Sequence, residues 1–121
     1  MFKVIPNGTN RIDVELSGKL NAEDMKIGLD ELVSQSKNIE NGIMLYQISD
    51  LNFPSLGAIG VELSRLPALF GLIRKFDRTA VLADKAWIKK VSEVEGALFP
   101  GLEIKSFDLS ERTEAEAWLL S

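Results

Sequence analysis

The stretch IMLYQI, residues 43–48, decides the fold because it is almost continuously apolar. A strand with one solvated face alternates apolar and polar residues, whereas a nearly uninterrupted apolar strand is typical of a parallel sheet covered by helices on both faces. The stretch TAVLA, residues 79–83, has the same character, and LEIKSF, residues 102–107, shows it more weakly. We therefore predict three parallel strands at these positions.

The residues before this stretch predict a β-hairpin. FKVI, residues 2–5, and RIDVELS, residues 11–17, flank a turn whose Asn7-Gly8 pair readily takes positive φ. Apolar and charged residues alternate along the second strand, which is the period-two pattern of a strand with one solvated face. We expect this strand to lie toward an edge of the sheet, with a solvated face formed by Arg11, Asp13 and Glu15.

Helical patterns separate the predicted strands. Asn21 can cap a first helix, whose inward positions at helical spacing are Met25, Leu29, Leu32 and Ser36. An apolar stripe over residues 56–73 passes through Pro67, which predicts a kink or two short helices. A further helix follows Asp84, and Ser110 is predicted to cap the last one.

The resulting order ββαβαβαβα predicts an α/β fold with a mixed sheet, a hairpin followed by parallel strands. The chain has 121 residues, the size of one ordinary domain, and we predict a single domain over residues 1–121. No apolar run approaches the length of a transmembrane helix, and the first residues lack the pattern of a secretory signal. We expect a cytoplasmic protein.

Composition excludes several kinds of chemistry. The chain has no cysteine and no histidine, which removes disulfides, thiolate nucleophiles, imidazole bases and Cys/His zinc sites. Its net charge is −4 and its sequence has no basic stripe, so we do not expect nucleic acid as a partner. We predict no cofactor, no resident metal and no catalytic residue.

The C-terminal half resembles a known family. FDRTAVLADKAW, residues 76–87, and LFPGLEIKSFDLSERTEAEAWL, residues 98–119, resemble the SpoIIAA-like, or STAS/SEC14, family of small bacterial proteins. The matching positions are Phe76, Arg78, Ala80, Val81, Asp84, Trp87, Phe107, Ala117 and Trp118. The resemblance implies a STAS fold. It also implies two roles found among STAS and SEC14 proteins: partner binding controlled by serine phosphorylation, and lipid binding.

The turn ISDLNFPSLGAIG, residues 48–60, corresponds to the place where signalling STAS proteins carry the phosphorylated serine. In this sequence that serine falls on Leu56 or Gly57, and Ser55 matches it only with a shift of one or two residues. We therefore predict that Ser55 is a helix cap and not an obligatory phosphorylation site. The glycine pair Gly57 and Gly60 also does not predict a phosphate-binding loop, because the lysine and hydroxyl of a P-loop are missing.

Asp50 and Asp84 each follow a predicted parallel strand, so we expect them at the carboxyl-end rim of the sheet, where open α/β sheets bind ligands. A local structural role in a turn or cap is the simplest interpretation, with Mg²⁺ binding and general acid/base work as alternatives. Together with Ser55 and Tyr46, whose hydroxyl could orient a ligand, they form our candidate rim for a ligand or partner.

Residues 67–73, PALFGLI, carry more apolar side chains than one sheet face can bury. The neighbouring helix, a second subunit or an apolar ligand could cover them. We predict a homodimer with Leu69, Phe70 and Leu72 at or near the contact.

These observations favour a non-enzymatic binding module of unknown pathway, with an unidentified protein or its own copy as partner. A small apolar-ligand or lipid carrier is the alternative. A STAS phosphoswitch and an enzyme that uses rim carboxylates are less favoured.

Overall fold

The computed structural model describes residues 1–51, 71–72, 74–85 and 101–121 of the chain. Its strands are β1 (Phe2–Pro6), β2 (Arg11–Gly18), β3 (Gly42–Leu51), β4 (Phe76–Ala83) and β5 (Glu103–Asp108). Its helices are α1 (Ala22–Gln35) and α2 (Arg112–Leu119), the latter preceded by the 3-10 turn Leu109–Glu111. The helices predicted within residues 56–73 and after Asp84 fall almost entirely outside the described residues, and so do Pro67 and Trp87.

The described strands form one mixed sheet in the order β1-β2-β3-β4-β5. β1 pairs with β2 in antiparallel fashion, and β2, β3, β4 and β5 are parallel neighbours. One row across the parallel strands runs Val14, Tyr46, Val81, Ser106. The prediction of a hairpin followed by parallel strands is therefore confirmed.

Helix α1 covers one face of the sheet at its hairpin end. The Asn21 side chain accepts a hydrogen bond from the Asp24 backbone N–H at 2.8 Å, which confirms the predicted cap. Met25, Leu29 and Leu32 are buried at the predicted inward positions. Gly28 allows a close approach of helix and strand, because a Cβ at this position would collide with the Phe2 ring of β1.

Helix α2 covers the opposite face. Its two buried residues, Ala115 and Leu119, belong to a cluster with sheet residues from three strands: Leu45, Ala80, Leu82 and Phe107. Alternate residues of β3 and β4 point to opposite faces of the sheet. Both strands therefore contribute to clusters on both faces, as the uninterrupted apolar stretches of the sequence predicted.

The predicted Ser110 cap is wrong. The chain enters a 3-10 turn after Asp108, and α2 begins only at Arg112. At the start of this turn the Asp108 backbone N–H donates to the Glu111 carboxylate at 2.8 Å. The Glu111 carboxylate thus satisfies the first backbone donor of the 3-10 turn. The regular helix begins beyond Ser110, which therefore is not its cap.

The predicted solvated face of β2 is also wrong for two of its residues. The side chains of Arg11 and Asp13 are only 16% and 13% exposed. They contact Arg112 and Glu116 of α2, and we call these four residues the charged cluster. The alternation along β2 is real, but α2 covers its charged side, and β2 lies one strand in from the edge.

Leu72 is 6% exposed and packs in a core cluster with Ile12, Met44 and Phe76 of the same chain. Its own domain therefore supplies its burial, and the dimer contact at or near Leu69, Phe70 and Leu72 stays a prediction. Leu69 and Phe70 lie outside the described residues. In the described part of the chain, no helix is long and apolar enough to cross a bilayer.

Candidate functional site

The carboxyl-end rim is built around an irregularity in β3. Ser17 of β2 lies opposite Ser49, but the next residue, Gly18, lies opposite Leu51. Asp50 is therefore an extra residue in the ladder and forms a β-bulge one residue before the end of β3. Bulges bend a strand locally and change the direction in which a side chain projects.

Asp50 adopts a left-handed backbone conformation, with φ of 51°. This region is costly for most residues and is tolerated by aspartate and asparagine better than by other non-glycine residues. Its backbone N–H donates to the Asp84 carboxylate, Oδ2, at 3.1 Å. The structure thus brings together the two aspartates predicted to share the rim, and Asp84 acts as an acceptor for the main chain of the neighbouring strand.

The two aspartates take different parts in this contact. Both residues are exposed to solvent. The Asp84 carboxylate is engaged through one oxygen, whereas Asp50 contributes its backbone N–H to this contact. The Asp50 carboxylate projects from a bulge whose backbone is fixed by a hydrogen bond to the adjacent strand. Asp50 is therefore a rim residue whose backbone is positioned by a hydrogen bond and whose side chain lies at the surface.

A third aspartate, Asp108, ends β5 beside Ala83 of β4. The three strand-end aspartates do not converge on a metal-binding geometry. Among the described residues, no group of three or more acidic side chains lies close enough to hold a metal ion.

Tyr46 lies in the body of the sheet and not at the rim. It is four residues before Asp50, a distance of about 13 Å along a strand. Its neighbours across the sheet are Val14 and Val81, and its half-buried ring packs against the clusters under α1. Ser55, the remaining predicted rim residue, lies outside the described residues.

The charged cluster fastens α2 to the sheet, and its strand residues Arg11 and Asp13 lie toward the amino end of β2, away from the rim. Arg11 donates to both Asp13 oxygens, from Nε at 2.8 Å and Nη2 at 3.2 Å, and Nη2 also donates to Glu116 at 2.7 Å. Arg112 lies within ion-pair distance of Asp13 and Glu116. The Arg112 Nη1 also donates to Gln47 of β3 at 2.8 Å, three residues before Asp50.

The pKa of the Arg11 guanidinium is raised above its ordinary value, chiefly by the hydrogen bond to Asp13, with Glu116 adding to it and burial opposing it. Arg11 is therefore charged at any ordinary pH. Two arginines facing two carboxylates leave the cluster with no net charge. It is suited to fixing the helix and not to attracting an ion.

Arg78 holds the other end of α2. Arg78 Nη1 donates to the backbone carbonyls of Trp118 at 2.7 Å and Ser121 at 2.9 Å, where a helix C-terminus favours a cation. Its guanidinium also lies 5.2 Å from the Trp118 ring centroid. Two positions of the family resemblance, Arg78 and Trp118, are therefore partners in a structural clamp.

The sequence analysis predicted neither the charged cluster nor the contact of Arg78 with the end of α2. A signal for the charged cluster was present, because Arg112 and Glu116 are spaced i, i+4 and complement the charges at Arg11 and Asp13. No local signal indicated the left-handed conformation of Asp50, since its partner Asp84 is 34 residues away.

Comparison with known protein families identifies the family of this chain. The sequence profile of the SpoIIAA-like family matches residues 11–120, nearly the whole chain. The chain belongs to the SpoIIAA-like family. This result confirms the resemblance noted in the sequence. No curated protein matches the sequence of the chain.

Solved structures confirm the SpoIIAA-like fold. An uncharacterised protein with a SpoIIAA-like fold from Shewanella loihica is similar with a TM-score of 0.74 and 22% identity, covering 98% of this chain and 92% of that one. The Bacillus cell fate determinant SpoIIAA in its phosphorylated form gives 0.54 and 17%, with coverage of 94% and 97%. The anti-sigma factor antagonist SpoIIAA in its unphosphorylated form gives 0.52 and 16%, with coverage of 97% and 98%. At these identities the likeness concerns the fold alone.

Proposed function

We propose that this SpoIIAA-like chain is a single-domain, non-enzymatic binding module that contacts a protein partner through the carboxyl-end rim of its sheet. The observation that carries the proposal is the bulged, left-handed Asp50, fixed by Asp84. A non-glycine residue in a costly backbone conformation persists only where its surroundings over-determine it, and such residues concentrate at functional sites.

The chemistry of the chain favours recognition over catalysis. The sequence has no histidine or cysteine, so any reaction would depend on carboxylates, lysines, hydroxyls or the single tyrosine. Asp84, the carboxylate beside Asp50, is already an acceptor for the main chain. An exposed carboxylate on a backbone that is held in place suits a partner that offers an arginine, a lysine or backbone N–H groups. One protein of similar fold is described as an anti-sigma factor antagonist, and this description is consistent with the proposal.

The test compares charge reversal at the two ends of the sheet. Asp50→Lys alters the rim, and Asp77→Lys is a matched control, because Asp77 is an exposed aspartate at the amino end of β4. Asp50→Asn separates charge from backbone strain, since asparagine also tolerates the left-handed region. Each tagged variant is crosslinked in cells of the source organism and purified, and its partners are quantified by mass spectrometry after circular dichroism has shown native folding.

We expect at least one protein to be retained by the parent and by Asp77→Lys, and to fall at least tenfold with Asp50→Lys. Asp50→Asn should lie between them, because it removes the charge and keeps the shape. Equal recovery of all partners with all variants would contradict a rim-mediated interaction.

Self-association through residues 67–73 remains a separate part of the proposal. The burial of Leu72 leaves Leu69 and Phe70 as the residues to test. Native mass spectrometry should show a dimer that Leu69→Glu converts to monomer. The same spectrum tests the apolar-ligand alternative, because a retained small molecule would appear as an added mass on the monomer or dimer. A bare monomer would reject both ideas and leave the rim proposal standing.

A further inference from the structure

We draw no further inference here: the strongest candidate, the buried Ser106 hydroxyl on the sheet face that carries Tyr46 and Val81, has no hydrogen-bond partner, and nothing in the described part of the chain shows what covers it.

Discussion

Replacing Arg11 by methionine tests whether the charged cluster holds the C-terminal helix to the sheet. Methionine keeps an unbranched apolar stem of similar reach and removes the guanidinium. The change deletes three hydrogen bonds, two to Asp13 and one to Glu116. It does not leave either carboxylate alone, since Asp13 keeps Asn7 and both keep Arg112 within ion-pair distance.

The expected loss lies between that of an exposed and that of a buried ion pair. Exposed pairs contribute about 0.2 to 1 kcal/mol, and breaking a fully buried pair costs about 3 to 5 kcal/mol. Arg11 and Asp13 are 16% and 13% exposed, but Glu116 is 36% exposed and therefore contributes less. Because the carboxylates retain other partners, we expect a loss of about 2 kcal/mol. For a domain of this size, that lowers Tm by roughly 8 °C.

The measurement is urea unfolding followed by tryptophan fluorescence, with the m-value compared between variants. Asp13→Asn and the double variant complete a thermodynamic cycle, which should give a coupling of about 1 kcal/mol or more. Glu114→Gln is the control, because Glu114 is an exposed glutamate on the same helix. The Arg11 contribution should not change between about pH 6 and 9. A raised pKa means that it is present below the pKa of the unfolded chain and lost only as pH rises through the still higher folded pKa.

A loss below about 0.5 kcal/mol for Arg11→Met, together with no coupling to Asp13, would refute the reasoning. It would mean that apolar packing by Ala115 and Leu119 alone fixes α2. A loss equal to that of Glu114→Gln would lead to the same conclusion.

Three further substitutions test local features. Asn21→Ala should cost about 0.5 to 2 kcal/mol by removing the cap of α1, with the exposed Asn38→Ala close to neutral in the same unfolding assay. Arg78→Lys should lower the free energy of unfolding by about 1 to 2 kcal/mol, because a lysine ammonium cannot reproduce the planar contacts to two carbonyls and a tryptophan ring. A loss as small as that of Asn38→Ala would be inconsistent with the clamp. Asp50→Gly should be more stable than Asp50→Ala by about 1 kcal/mol, because only glycine adopts positive φ without cost. Equal urea midpoints of unfolding for the two variants would argue against the left-handed bulge.

Local patterns were sufficient for most of the fold. The uninterrupted apolar stretch of β3 predicted a strand covered on both faces, and the spacing from Asn21 to Leu32 predicted both the start of α1 and its buried side. These predictions succeeded because the signals depend on residues within a few positions of one another. The hairpin succeeded for the same reason, since the turn after Pro6 contains Gly8, whose φ is 89°.

The charged side of β2 shows where a local pattern is insufficient. Alternation indicates that the two sides of a strand differ, but it does not say whether water or another element faces the charged side. Here α2 faces it, and its Arg112 and Glu116 neutralise the charges that a solvated strand would present to water. Complementary charge in a distant helix is a usable signal, but only after the topology has placed that helix over the strand.

The rim shows the same limit more strongly. The sequence predicted Asp50 and Asp84 at the same rim, since parallel strands end at a common edge, but it did not predict that their strands are neighbours. The bulge is a one-residue shift between β2 and β3, and the left-handed Asp50 donates its backbone N–H to the carboxylate of Asp84, the residue that follows β4. Neither can be deduced from the residues adjacent to Asp50, because the bulge is defined by pairing with β2 and the hydrogen bond by a residue 34 positions away.

The separation between rim and charged cluster makes the binding proposal testable independently of stability. Asp50 is held by a hydrogen bond to Asp84, whereas α2 is held by Arg11 and by the contact of Arg112 with Gln47. Substitutions at Arg11 should therefore lower stability without changing the partners recovered from cells, as long as most of the protein stays folded. Substitution of Asp50 by asparagine should do the reverse, because the backbone geometry is kept and only the presented charge is lost. If each substitution changed both the stability and the partners recovered, the effect of Asp50 on binding would be explained by loss of the fold. The rim would then not be the partner surface.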